Sequence, residues 1–305
     1  MSSSPAARIE GRTVAVTGAD GVIGRAVARH LLAGGARVVG IDRAEADITK
    51  PGALRELFRG CFACIHLAGQ KSARVSPEAV RACFVENTIG TLEVAEACRA
   101  QGVKRIVLAS TGYVYAPAPT GRISESDPLS PASAYAASKV AAEAVLAGYA
   151  TSAGLECAFA RMSNIYGGVP DANTIVGRAL LQAQKAEPIA LRTHDAVRDF
   201  IHLDDVALAL VALTTCSMAR AEAFNVASGT ELSSGEVARR VAAAAERAGI
   251  GRLEVRPPET NEPPGMARFA FDTNRIRSRT GWKPTIDFDN GLDRTFALRT
   301  DSRPS

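Results

Sequence analysis

The chain has 305 residues, 47% hydrophobic and 22% charged, with a formal net charge of +4. That length supports a large core in one big domain or two interleaved ones, and the balance is that of an ordinary globular chain. A small net charge with no Lys/Arg block gives nucleic-acid binding no compositional support, and no apolar run reaches the roughly eighteen residues of a transmembrane helix.

The N-terminal stretch from Met1 to Ala7 lacks the apolar centre of a secretory signal. Residues 1–10 are therefore expected to form a disordered lead, and the protein is expected in the cytoplasm. The first element is Thr13-Val14-Ala15-Val16, a β-branched run that predicts a buried strand. It leads into Thr17-Gly18-Ala19-Asp20-Gly21-Val22-Ile23-Gly24, with glycines spaced Gly-x-x-Gly-x-x-Gly, and then a helix over 21–33 closed by Gly34-Gly35. Glycines let the backbone turn sharply and approach a pyrophosphate, while the helix N-terminus offers free N–H groups and a positive dipole end. A plain tight turn is the bland alternative, and the strand–turn–helix–strand context argues against it. The second strand, over 37–41, ends at Asp42. An acid about twenty residues past the glycines can bond the adenosine ribose. It would repel a 2′-phosphate, which favours NAD over NADP, while the neighbouring Arg43 pulls the other way.

Asp47-Ile48-Thr49-Lys50-Pro51 reads as a strand end passing into a helix start, with a short helix over 53–58. A strand over 62–67 follows, containing Cys64 and His66. Cys61 and Cys64 have the spacing of a redox or metal pair. No second pair follows among Cys83, Cys98, Cys157 and Cys216, so small core thiols are the favoured reading and no metal is expected. His66 reads as an interior histidine, and His30, His194 and His202 form no cluster.

A long helix over 80–100, a strand over 105–109 and an alanine-rich helix over 134–150 come next. The last carries Tyr135 and Lys139, which at i and i+4 share one helix face. A free phenol has a pKa of about 10. A cation within roughly 4–6 Å favours the phenolate, and a phenol so tuned can exchange a proton with an alcohol or ketone. By itself the pair is a weak signal, since a solvated Lys beside a half-buried Tyr is commonplace. Strands over 155–161 and 224–226, helices over 175–185, 203–214, 234–248 and 273–280, and a polar loop over 256–265 complete the chain. The alternation predicts an α/β fold, a doubly wound parallel sheet covered on both faces.

Taken in order, several motifs resemble those of the extended short-chain dehydrogenase/reductases of the NAD-dependent epimerase/dehydratase type. They are residues 17–24, Asp42, Asp47-Ile48, His66-Leu67-Ala68-Gly69, Asn87-Thr88-Ile89-Gly90-Thr91, Ser110-Thr111, Tyr135 with Lys139, Arg198-Asp199-Phe200-Ile201-His202 and Thr280-Gly281-Trp282-Lys283-Pro284. The resemblance covers nearly the whole chain. It implies a Rossmann domain over 11–165, with 199–227 returning to it, and a smaller substrate-binding lobe from 166–198 and 228–300. It implies Tyr135 as acid/base, Lys139 as the group that holds the nicotinamide ribose and lowers the Tyr135 pKa, and Thr111 as the hydroxyl on the reacting oxygen. Gly18, Gly21, Val22, Ile23 and Gly24 would hold the pyrophosphate, and Asp42 the ribose. Asp47 and Ile48 would hold the adenine, and Leu67, Ala68, Gly69 and Lys71 would line the cofactor. Lys71, Thr111, Asn164, Arg198 and Arg268 would face a nucleotide sugar, the last substituting for an arginine expected where Glu262 stands.

A nucleotide-sugar epimerase acting at C4 with NAD is the favoured expectation. Related 4,6-dehydratases carry acids, or Cys and Glu, directly after the Thr, whereas this chain has Gly112 and Tyr113. A 4-keto reductase or dehydrogenase of the same fold, and a dinucleotide-sensing protein without turnover, are the alternatives. Family members commonly pair through two helices, here 80–100 and 134–150, so a homodimer is expected.

Overall fold

The computed structural model describes residues 9–71, 76–118, 120–192, 196–218, 220–258 and 268–300, with side chains described to residue 297. Its strands are β1 Thr13–Thr17, β2 Arg37–Ile41, β3 Ala63–His66, β4 Arg105–Thr111, β5 Glu156–Met162, β6 Asn164–Tyr166, β7 Ile189–Ala190, β8 Val197–His202, β9 Ala221–Val226, β10 Glu231–Ser233, β11 Val255–Arg256 and β12 Arg268–Phe269. Its helices are α1 Val22–Ala33, α2 Pro77–Phe84, α3 Gly90–Gln101, α4 Ala134–Ser152, α5 Ile175–Gln184, α6 Leu203–Thr214, α7 Ser234–Arg247, α8 Asn274–Thr280 and α9 Phe288–Thr300.

Six strands form one sheet in the order β2-β1-β3-β4-β5-β9, every pair parallel. Successive residues of a strand face opposite sides, and here both sides are core. Val14, Val16, Ile65, Val107 and Ala158 pack with α1 and α6. Ala15, Cys64, Ile106, Leu108 and Cys157 pack with α3 and α4. Double burial is why these strands are apolar along their length rather than alternating. The order reverses at β1, which lies between β2 and β3, and Thr17 aligns with both Ile41 and His66. The C-terminal ends of three strands therefore open onto one crevice, the place where open α/β sheets bind ligands.

A second sheet, β10-β8-β12 with β6 also on β8, packs with α5, α7 and α9 around Phe200, Leu232, Val237, Phe288 and Leu292. β8 begins at Val197, so residues 199–202 belong to this small sheet. Ile201 of the same strand is buried in the α1–α6 core, together with Leu203 that follows. The C-terminal segment is also shared between the two cores. Ile276 and Trp282 join the α1–α6 core, where Trp282 Nε1 donates to the Asp205 carbonyl at 3.1 Å.

Other expectations are corrected locally. Ile9 is buried beneath Gly34, so the fold starts before residue 11. The predicted helix over 53–58 is only a 3-10 turn, Glu56–Phe58. The predicted helix over 80–100 starts at Pro77, capped by Ser76, and contains a π-helical turn, Val85–Ile89. All six cysteines are free and buried. His66 is interior, bonded to Thr17 and Thr91. His194 and the 259–265 part of the polar loop, with Glu262, lie outside the described residues. Among the described residues no helix is long and apolar enough to cross a membrane.

Candidate active site

The glycine turn after β1 fits its proposed task sterically. Gly18 has φ +71°, and a Cβ there would lie 2.8 Å from the Ala68 backbone nitrogen. A Cβ on Gly24 would lie 2.6 Å from the Ala19 carbonyl oxygen. The turn, the loop after β3 and the first turn of α1 thus touch backbone to backbone. Gly21 is the N-cap of α1 and provides no side-chain cap, leaving first-turn amides for an anion.

A cleft of about 1550 Å³ opens at this point, lined by Gly18, Gly21, Asp42, Asp47, Ile48, Leu67, Ala68 and Gly69 among others. Asp42 Oδ2 accepts from the Asp20 amide at 2.7 Å. Arg43 Nη2 donates to both Glu86 oxygens at 3.2 and 3.3 Å, and both residues line the cleft. The arginine that argued for a 2′-phosphate is thus engaged by a carboxylate that would repel one. The Asp47 carboxyl accepts from the Thr49 hydroxyl and amide, which hold it below the usual carboxylate range. Ile48 packs under Gly90, where a Cβ would come within 2.7 Å of its Cδ1.

The catalytic candidates converge where β4 meets the start of α4. Ser133 caps the helix, its Oγ accepting from the Ala136 amide at 3.1 Å. The Tyr135 hydroxyl lies close enough to the Thr111 side chain for Thr111 to lower the phenol's proton affinity. The strand runs through Thr111 rather than ending at 109, so this hydroxyl is fixed by sheet pairing with Met162. Lys139 is 5% exposed. Burial brings its pKa down to about 8, opposed by Glu143 and then Cys83. Burial also pushes Tyr135 up to about 12, with the Thr111 side chain pulling the other way. Among the protein's own groups, desolvation outweighs what lowers the phenol.

Asn87, quoted within a motif but given no role, is the principal omission. Its Oδ1 accepts from the Gln70 amide at 2.8 Å, and its Nδ2 donates to the Gln70 carbonyl at 2.9 Å and Ser138 Oγ at 2.8 Å. It ties the loop after β3 to α4 beside Lys139. A Cβ on Gly69 would lie 3.4 Å from the Lys139 Nζ. A polar residue inside an otherwise helical run was the signal that could have found it.

Toward β6 and β8, Tyr113 donates to Asn164 Oδ1 at 2.7 Å and is hydrogen-bonded to Arg198. The Arg198 guanidinium lies 5.5 Å from the Phe269 ring centroid, and burial lowers its proton affinity. Asn164 and Arg198 are thus brought together, with Tyr113 between them. Arg268 is directed elsewhere. It donates to Glu231 Oε2 from Nε and Nη2 at 3.0 and 2.7 Å, and also to the Gly121 carbonyl. Lys71 is exposed and lies 3.9 Å from Asp171 Oδ2. A Cβ on Gly112 would come within 2.8 Å of Phe271 Cε1, so this position has no room for a side chain.

The sequence pattern of the NAD dependent epimerase/dehydratase family matches residues 14–227, which span the glycine turn, Thr111, Tyr135 and Lys139. The chain belongs to that family. A UDP-glucose 4-epimerase of Mycolicibacterium smegmatis is 31% identical over 312 residues, covering 92% of this chain and 96% of the relative. A dTDP-glucose 4,6-dehydratase of Neisseria gonorrhoeae is 26% identical, with 96% of each chain covered. The crystal structure of a Thermus thermophilus UDP-glucose 4-epimerase in complex with NAD superposes with a TM-score of 0.80 at 31% identity, covering 93% of this chain and 98% of that one. This epimerase/dehydratase-family chain has Arg268 outside the matched segment, and Asn164 and Arg198 within it.

Proposed function

We propose that the protein is an NAD-dependent nucleotide-sugar epimerase acting at C4. The observation that carries this is Tyr135 placed beside Thr111, with Lys139 buried one turn on and Gly112 closed to any side chain. Such a site exchanges one proton at a sugar hydroxyl but has no acid beside Thr111 for eliminating water. Similarity to epimerases of UDP-glucose and of UDP-glucuronate, the latter 28% identical over 311 residues, supports the same reading.

The residues present fit NAD: the Gly18 and Gly24 turn leaves the space that a Cβ would fill, and Asp42 with Glu86 disfavours a 2′-phosphate. When bound, NAD supplies the acceptor and donor of hydride at C4 of its nicotinamide. Tyr135 removes the proton of the sugar C4 hydroxyl as that carbon becomes a ketone, and returns it when hydride is delivered to the opposite face. Thr111 holds the reacting oxygen and shares the proton. Lys139, a buried cation beside Gly69, would bind the nicotinamide ribose and favour the phenolate at the moment of transfer. Asn164 and Arg198 would anchor the diphosphate, so binding energy comes from a part of the substrate that does not react. The protein would work as a homodimer through α2, α3 and α4.

Replacing Tyr135 by Phe tests the assignment. Turnover of UDP-glucose to UDP-galactose is expected to fall by about 10²–10⁴-fold, while NAD retention, read by absorbance, stays unchanged. Undiminished turnover would exclude this mechanism. Steady net accumulation of NADH would exclude an epimerase.

A further inference from the structure

Behind the reacting groups lies an ion pair. Glu143, one turn beyond Lys139 on α4, and Arg161 on β5 are 4% and 6% exposed. Glu143 Oε1 accepts from Ser110 Oγ at 2.5 Å and from Arg161 Nε at 3.1 Å, and its Oε2 accepts from Arg161 Nη2 at 2.6 Å. Arg161 Nη1 donates to Tyr115 Oη at 2.8 Å, which donates to Asn225 Oδ1 at 2.9 Å. The carboxylate therefore touches the residue that precedes Thr111 and stands on the helix that carries Tyr135 and Lys139.

We propose that Glu143 is a positioning residue of this active site: it keeps the buried Lys139 protonated and, through Ser110, fixes the end of β4 that presents Thr111. The inference rests on the reading of Thr111, Tyr135 and Lys139 as the reacting set. Stability alone is a poor reason for the pair, because well-packed apolar residues of similar volume commonly stabilise a core as well or better. Its placement supplies another reason. Lys139 is faced on α4 by the neutral Tyr135 and by Glu143, on α2 by the Cys83 thiol and on β3 by His66, whose burial keeps it uncharged at neutral pH. Glu143 is the carboxylate among the groups that act on Lys139, and it opposes the loss of the ammonium proton. Arg161 in turn gives the buried carboxylate two hydrogen bonds in place of water.

The test is Glu143→Gln in the full chain with its bound nucleotide. Gln still accepts from Ser110 but carries no charge. Two readouts are taken: the pH dependence of kcat, and the titration of the Lys139 ¹³Cε resonance in lysine-labelled protein, assigned through Lys139→Arg. Both the alkaline limb of kcat and the Lys139 titration should move to lower pH by about 1–2 units, and Glu143→Asp should restore them. A folded Glu143→Gln protein with only a lower Tm and an unmoved Lys139 titration overturns the proposal. Should that variant fail to fold with Arg161 unpaired, Glu143→Gln combined with Arg161→Met removes both charges, and the same shift, or its absence, decides. The resonance titrates whether or not nucleotide sugars are turned over, so failure of the epimerase reading and failure of this one are distinguishable.

Discussion

A single methyl group at residue 112 would press on the Phe271 ring, with 2.8 Å to its Cε1. Phe271 cannot easily give way, because it is 2% exposed and packed among Val114, Tyr115, Ile123 and Phe269. The chemistry of this position is thus set by packing as well as by residue type. Gly112→Asp, which would imitate the first acid of a dehydratase, is expected to cost about 1–3 kcal/mol through overpacking. It should lower Tm in thermal denaturation and confer no water elimination on a nucleotide sugar. A stable variant with dehydratase activity would contradict the argument. The sequence showed that Gly112 brings no acid or base, but the reason none fits depends on Phe271, 159 positions further along the chain. Likewise Tyr135 and Lys139 were legible from their spacing, whereas their proton affinities were not. Burial sets those, and burial comes from β4, α2 and the loop after β3.

Among elements, the segment from Pro77 to Gln101 shows what a 3.6-residue period can and cannot reveal. Residues on both sides of Val85–Ile89 are helical, so a continuous helix was readable. The wider π turn is invisible to periodicity, although it presents Asn87 to Gln70 and Ser138. Such turns gather at functional sites. The small sheet went unread for a different reason. Its strands have two to six residues, pair across long separations, and include a fully buried Asp199 held by Ser228, Gly229 and Ser163. α9 also went unread, although Phe288, Leu292 and Phe296 are buried at four-residue spacing. The π turn and its flank expose Phe84, Val85 and Ile89, each more than a third accessible, beside the α2–α4 packing. A second copy would cover that apolar strip. Light scattering at working concentration should give twice the chain mass, and Ile89→Asp should shift it toward the monomer. A wild-type monomer would remove the dimer.

Across the whole molecule, the large sheet was the most legible part, since strands buried on both faces leave apolar runs between helices. One of those strands places His66 inside the protein and so couples the fold to pH. The Thr91 hydroxyl donates to the Asn87 carbonyl at 2.5 Å and therefore accepts from His66 Nε2 at 3.1 Å. Thr17 Oγ1 accepts from the Ala68 amide and gives its proton to His66 Nδ1 at 2.7 Å. The neutral ring is thus fully satisfied, and burial, followed by the Lys139 charge, lowers its pKa to about 3. In the unfolded chain a histidine titrates near 6.5. Below about pH 6.5 the unfolded state takes up a proton that the folded state refuses, so the stability due to His66 is present above that pH and lost as pH falls toward 3. Asp199 acts oppositely. Burial raises its pKa to about 6, so the folded state holds a proton the unfolded state releases, and acid favours folding between about pH 6 and 4. Raw stability curves would mix the two effects, but a difference between variants does not, because Asp199 is common to both. His66→Gln keeps an amide able to bond to a threonine and cannot titrate. In urea denaturation, the stability advantage of wild type over His66→Gln should narrow by about 2 kcal/mol between pH 7 and pH 5. A gap that stays constant would mean that His66 is protonated in the folded protein as readily as in the unfolded chain.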